Sequence, residues 1–244
     1  METAIKLTNI SFSAQGRDIL QGVSVDFNAG IATAIVGPSG GGKSTVLKIS
    51  AGLLLPTEGE VVYKNKNVAL MNRAENLLFR KESAFVFQDS ALWANQDLNQ
   101  ILELPLKIHF PDMTAKERMS RIKEVTAEVG YRKDLDIRPA RLSMGEQKLI
   151  GFARSLLCNP SLLFLDEWTE SLDEAQANRL INIVHKRVNS GTSVIFVCHD
   201  MRIMNELANH VIIISNGAIT MSAAKEHITN DAELSNYLKM GMAL

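Results

Sequence analysis

Short, uniformly apolar runs recur along the chain, separated by stretches with helical spacing. IATAIVG (31–37), SLLFLD (161–166), SVIFVCH (193–199) and HVIIIS (210–215) are rich in Ile, Val, Leu and Phe and stop at glycine or polar residues. Runs of that length and composition read as strands buried on both faces, as in a parallel sheet. Between them, KSTVLKISAGLLL (43–55) and LDEAQANRLINIVHKRV (172–188) read as helices. In the second, Leu172, Ala175, Leu180, Ile183, Val184 and Val188 fall on one helix face. Strand, helix, strand in that order predicts an α/β domain with a mainly parallel sheet.

Two segments depart from this alternation. In the first sixty residues IKLTNISF, GVSVDF and EGEVVYKN alternate around QGRD and NAG, which predicts a smaller antiparallel subdomain at the N-terminal side. From 88 to 159 the strand pattern stops. TAKERMSRIKEVTAEVG (114–130) is amphipathic, with Met119, Ile122, Val125 and Val129 on one face and its charges on a solvated one, and Gly130 ends it. We therefore expect a single domain over 1–244, with an α/β core from 1–87 and 160–244 and an inserted helical subdomain at 88–159.

Composition and charge remove several functions. The formal net charge of −1 offers no basic field for nucleic acid or an anionic membrane. The two cysteines, Cys158 and Cys198, sit inside apolar runs, which suits neither a disulfide framework nor a metal cluster and fits a reducing compartment. METAIKLTNI lacks the features of a secretory signal, and no run approaches the ~18 apolar residues of a membrane span. The expectation is a soluble intracellular protein that does not insert directly into a membrane.

The chemistry concentrates at Gly37-Pro38-Ser39-Gly40-Gly41-Gly42-Lys43-Ser44, a match to the P-loop pattern G-x-x-x-x-G-K-[ST]. Chance gives that pattern in about one chain in a hundred of this length, and a strand before it with a helix after it makes coincidence rarer still. Glycines let backbone N–H groups wrap a phosphate, and the following helix points its positive end at the same anion. Lys43 reaches the β- and γ-phosphates, Ser44 ligates Mg²⁺, and Thr45 completes the cradle. A second constellation closes the run SLLFLDE. Asp166 and Glu167 emerge at the carboxyl end of a strand, where α/β sheets place ligands. Asp166 suits Mg²⁺; Glu167 suits the attacking water.

With what lies between them, these motifs resemble the ATP-binding cassette (ABC) family over nearly the whole chain. Leu142-Ser143-Met144-Gly145-Glu146-Gln147 stands where that family carries its LSGGQ signature. Gln88 in FVFQD matches the Q-loop glutamine, Glu170-Ser171-Leu172-Asp173 the D-loop, and His199 in VCHD the switch histidine. The resemblance implies an ATPase that binds ATP and Mg²⁺ and forms a head-to-tail homodimer on ATP binding. In each site Lys43, Ser44, Gln88, Asp166, Glu167 and His199 of one chain would face Ser143 and the Gly145 N–H of the other. Gln88 would touch Mg²⁺ or the lytic water, and His199 would sense the γ-phosphate.

Three positions depart from the family pattern. Met144 replaces a signature glycine, Trp168 replaces the proline that commonly follows the catalytic glutamate, and Ala14 stands where an aromatic residue usually stacks on adenine. A methionine in a position requiring φ > 0 would weaken the signature; a side chain directed away would leave it intact. Phe12 lies two residues back on the same strand face, as a core residue or a substitute for the stack, and Arg17 offers a guanidinium plane.

Function divides three ways. The chain reads first as the ATPase subunit of a membrane transporter. It would be cytoplasmic, held at the inner membrane by integral permease subunits that dock beside Leu92, Trp93 and Leu98. A soluble ABC protein acting on ribosomes or nucleic acid usually carries two cassettes or a long coiled-coil insertion; this chain has one cassette and no basic excess. A regulatory nucleotide switch fits poorly with intact Asp166, Glu167 and His199. The layout of QDSALWANQDLNQILELPLKIHF (88–110) resembles cassettes of bacterial lipid-trafficking, Mce-linked transporters, so the cargo expectation leans to a lipid.

Overall fold

The computed structural model describes residues 2–230, so residue 1 and residues 231–244 of the expected 1–244 domain lie outside the described residues. The chain begins with β1 (Thr3–Ala14), β2 (Arg17–Asn28), β3 (Ala32–Val36), α1 (Lys43–Ser50), β4 (Glu58–Tyr63), β5 (Lys66–Asn67), α2 (Arg73–Glu82) and β6 (Ser83–Val86). Three helices follow: α3 (Leu98–His109), α4 (Ala115–Val129) and α5 (Met144–Leu156). The last part runs β7 (Leu162–Asp166), α6 (Glu174–Asn189), β8 (Ser193–Val197), α7 (Met201–Leu207), β9 (His210–Ser215), β10 (Ala218–Ala224) and α8 (Lys225–Asn230).

Two sheets result. The antiparallel sheet has the order β2-β1-β4-β5, as the alternation in the first sixty residues requires. The larger sheet has the order β10-β9-β3-β8-β7-β6, parallel from β9 through β6, with β10 antiparallel at one edge. The inner strands β3, β7, β8 and β9 are buried on both faces, and their period of two divides the apolar interior. Ala34, Leu163, Leu165, Phe196 and Ile213 join the side where α3, α4, α5 and α6 pack. Ile35, Phe164, Ile195, Val197 and Ile212 join the side shared with α1 and the antiparallel sheet. The helices of 88–159 thus bury Leu98, Ile101, Leu102, Ile122 and Val125 in the same cluster as the sheet itself.

Several local expectations shift. The helix expected over 43–55 ends at Ser50; Leu53 and Leu55 are exposed on the loop beyond. On α6 the buried face is Ala177, Leu180, Ile181, Ile183 and Val184, with Ala175 exposed, because the helix begins at Glu174 after its Asp173 cap. Leu98, assigned to a docking surface, is fully buried in the core. Helix α4 keeps its expected face and ends at Gly130 in a left-handed conformation. Strands β6 and β10 and helices α2 and α7 complete the architecture without having been expected.

Candidate active site

Strand order assembles the site. β3, β8, β7 and β6 are successive neighbours in the sheet and run in the same direction. The segments leaving their carboxyl ends therefore carry, side by side, the P-loop, His199, Asp166-Glu167 and Gln88. Residues far apart in the chain meet because the parallel crossovers return every strand to the same edge.

The P-loop turns sharply out of β3. At Gly37, φ is 141°, and a Cβ there would sit 2.0 Å from the Ile214 carbonyl oxygen, so only glycine fits. α1 begins at Lys43, whose buried ammonium donates to the Pro38 carbonyl at 2.9 Å. Burial lowers the Lys43 pKa, while Glu167 and Asp166 oppose the shift. The loop is braced from the β9–β10 turn: Gly217 N–H donates to Gly41 O at 3.1 Å, and Gly217 O accepts from Gln21 N–H at 2.9 Å. That bridge ties the P-loop to the antiparallel sheet.

Ser44 Oγ donates to Asp166 Oδ1 at 2.8 Å, and Asp166 is 2% exposed. Burial pushes the Asp166 carboxyl up; Ser44 and the lysines 48, 148 and 43 pull the other way. Two hard oxygen donors this close, one a carboxylate held against burial, fit a magnesium ion whose other ligands are phosphate oxygens and water. No group of three or more His, Cys, Asp or Glu side chains arranged for a metal occurs among the described residues.

The Glu167 carboxylate is held at both ends. Its Oε1 lies 2.9 Å from His199 Nε2, and its Oε2 accepts from Gln88 Nε2 at 2.9 Å. Gln88 Nε2 also donates to Glu170 Oε2 at 3.1 Å. The structure thus joins Gln88 directly to both Glu167 and Glu170. Burial raises the Glu167 pKa, Glu170 adds to the rise, and His199 opposes it. The Gln88 hydrogen bond holds Glu170 low.

A cavity of about 820 Å³ opens over this edge, lined among others by Ser39, Lys43, Ser44, Thr45, Glu167 and His199. Ala14 and Arg17 line its outer part, whereas Phe12 packs against the core cluster behind it. Of the positions considered for the base, Ala14 and Arg17 line the cavity and the partly buried Phe12 does not. Ser143 and Gly145 are not among the cavity's lining residues.

The signature stands at the start of α5. Ser143 is its N-cap, accepting from Glu146 N–H at 3.2 Å while Glu146 Oε2 accepts from Ser143 N–H at 2.8 Å. Met144 is the first helical residue and 70% exposed. Met144 is not among the residues with positive φ, so its backbone carries no left-handed strain. Gly145 packs closely: a Cβ would come 3.2 Å from Ser171 O and from Gln176 Oε1. Further along α5, Lys148 Nζ donates to Glu167 O at 2.9 Å, and Arg154 donates to Ser90 O and Ala91 O at 3.0 and 2.7 Å. Trp168, unexplained by sequence, is fully buried and stacks on Phe152 with ring centroids 5.6 Å apart. Sequence reasoning missed Lys148 altogether and named Glu170 only as part of the D-loop.

A glycine cradle with its lysine, a buried serine–aspartate pair and a carboxylate oriented beside them define a nucleoside-triphosphate hydrolase of the P-loop class. More narrowly, the chain belongs to the ABC transporter family, whose model matches residues 20–170. It is 32% identical over 214 residues to the nickel import ATP-binding protein NikE of Shigella flexneri serotype 5b (strain 8401), covering 86% of this chain and 80% of that protein. The NikE protein of Escherichia coli (strain K12) is likewise 32% identical, over 209 residues, covering 84% and 78%. Among solved structures, the dimeric post-hydrolysis state of the ATP-binding cassette MJ0796, bound to ADP and Pi, superposes with a TM-score of 0.84 at 27% identity, covering 90% of this chain and 98% of that one. The ATP-binding subunit of an ABC transporter gives 0.86 at 20% identity, covering 99% and 100%, and speaks to the fold alone. The chain is an ATP-hydrolysing enzyme that uses ATP with Mg²⁺, and cassettes of this family dimerise and work with membrane permeases. Among the described residues no helix is long and apolar enough to cross a membrane.

Proposed function

We propose that this chain is the ATPase subunit of an ABC transporter. Two copies pair head-to-tail around two ATP molecules and drive separately encoded permease subunits. The observation that carries this reading is the division of the site: the cavity gathers Lys43, Ser44, Glu167 and His199, while Ser143 and Gly145 stand outside it at the N-terminus of α5. A helix N-terminus with its serine cap is an anion-binding end, and a second chain supplies the nucleotide it faces.

In that dimer the P-loop N–H groups and Lys43 hold the phosphates, while Ser44 and Asp166 hold Mg²⁺, which neutralises phosphate charge when bound. Glu167 accepts the water's proton. His199 and Gln88 fix the direction of its two oxygens, and Gln88 links it to the helical segment 88–159, which we read as the subdomain inserted in the 1–87 and 160–244 core. A regulatory switch without turnover would not need a carboxylate oriented in this way.

Glu167→Gln tests the reading. The amide keeps the shape and cannot take the proton, so steady-state hydrolysis should vanish while ATP binding persists and an ATP-dependent dimer accumulates on gel filtration. Turnover within about tenfold of wild type would remove Glu167 from this role.

Cargo lies with the membrane subunits. The 88–110 layout supports a lipid, whereas the relatives at 32% identity are named for nickel import, so the lipid reading rests on that segment alone. An adjacent gene for a secreted lipid-binding subunit would favour the first and one for a metal-binding subunit the second. The proposed location is the cytoplasmic face of the inner membrane, through the permease.

A further inference from the structure

Helix α5 does more than present the signature. One turn after Gly145, Lys148 turns inward and is 4% exposed. Its ammonium donates at 2.9 Å to the main-chain oxygen of Glu167. Burial lowers the Lys148 pKa, and the surrounding Glu170, Glu167, Asp166 and Asp89 hold it up.

The residue it grips is unusual. Glu167 has φ of 44°, a left-handed conformation that is strained for a non-glycine residue. Main-chain bonds hold the peptide from both sides: Glu167 N–H donates to Val197 O at 3.2 Å, and Lys148 caps Glu167 O. A further turn along α5, Phe152 stacks on Trp168, the next residue after Glu167. The same helix also holds the chain beyond Gln88 through Arg154. The backbone that aims the Glu167 carboxylate is thus anchored to α5.

We propose that Lys148 is a positioning residue for hydrolysis: it locks the Glu167 main chain to the signature helix, so the helix that engages the partner's nucleotide also aims the catalytic carboxylate of its own site. This rests on the head-to-tail reading above. Its consequence is that γ-phosphate contact at Ser143 and Gly145 in one site is conveyed through about one helical turn, ~5 Å, to Glu167 in the other.

The test compares Lys148→Met, which keeps the stem and removes the donor, with Lys148→Arg, on the full chain. A hydrogen bond from a charged group is worth ~1.5–3 kcal/mol, so kcat in Lys148→Met should fall about ten- to a hundredfold. KM for ATP should stay within about twofold, because the lost interaction orients chemistry and not binding. The ATP-dependent dimer should persist on gel filtration, and Lys148→Arg should recover most of kcat. Should Lys148→Met fail to fold, Lys148→Gln, whose amide is too short to reach, carries the same expectation. An unchanged kcat, a parallel loss of kcat and ATP affinity, or an arginine variant no better than methionine would each overturn the proposal. A wild-type chain that hydrolyses ATP without ever forming an ATP-dependent dimer would overturn the head-to-tail reading itself.

Discussion

Glu167, His199 and Gln88 come from three strands, and they were not equally legible. A carboxylate closing an apolar strand downstream of a P-loop is marked by type and place, whereas Gln88 and His199 were recognisable only through the family resemblance. Lys148 and Glu170 carried no such mark; a lysine on a helix usually faces water, and only the packing of α5 turns this one inward. Met144 shows the reverse. Its substitution for glycine left two readings open in sequence, and the structure sets it as an exposed first helical residue. The base pocket supports a prediction at this scale. Ala14 offers no π-face, and Phe12 is engaged with the core. Base stacking on an aromatic side chain is worth ~1–3 kcal/mol, so its loss should bring GTP within about tenfold of ATP in affinity. Phe12→Ala should lower the unfolding midpoint and leave the ATP-to-GTP ratio unchanged. Competition binding with both nucleotides checks it, and a strong ATP preference lost on Phe12→Ala would return Phe12 to the base.

Elements were legible where one face is continuously apolar or where a cap is written into the sequence. α4 shows both. Thr114 Oγ1 accepts from Glu117 N–H at 3.3 Å, and Glu117 Oε2 accepts from Thr114 N–H at 2.7 Å, a reciprocal capping box on a solvent-exposed turn. Thr114→Ala should therefore cost about 1 kcal/mol, read as a lower urea midpoint with ATPase activity unchanged. No change in midpoint would show that tertiary packing alone fixes this end. Missed elements share a physical cause. β10 is an edge strand with none of its residues fully buried, and α2 exposes Leu77 and Leu78, so neither offers a clean period. On α1 the apolar pattern outran the helix, because Leu53 and Leu55 face outward from a loop.

Those outward leucines matter for the molecule as a whole. A groove of about 330 Å³ runs between the core and the helical segment, lined by Leu53, Arg80, Phe85, Phe87, Trp93 and Arg154. Trp93 is 45% exposed, with the Arg154 guanidinium 5.9 Å from its ring centre. Exposed aromatics beside arginine are the residues that anchor protein interfaces. Trp93→Ala should leave folding and ATP binding intact and reduce recovery of a membrane protein when tagged chain is purified from detergent-solubilised membranes. Equal recovery with the variant would move the docking site elsewhere. Recovery of ribosomes or DNA in place of a membrane protein would sink the transporter reading.

The position of β3 between β8 and β9 has a consequence for how the chain is made. The strand that carries the P-loop leaves the ribosome early, but both of its neighbours are encoded much later, and the turn that braces Gly41 comes last of all. Such non-local pairing is slow to form and leaves an unpaired edge exposed while synthesis continues. Nascent chains halted before His210 should therefore fail to retain ATP although every residue of the phosphate cradle has already been translated.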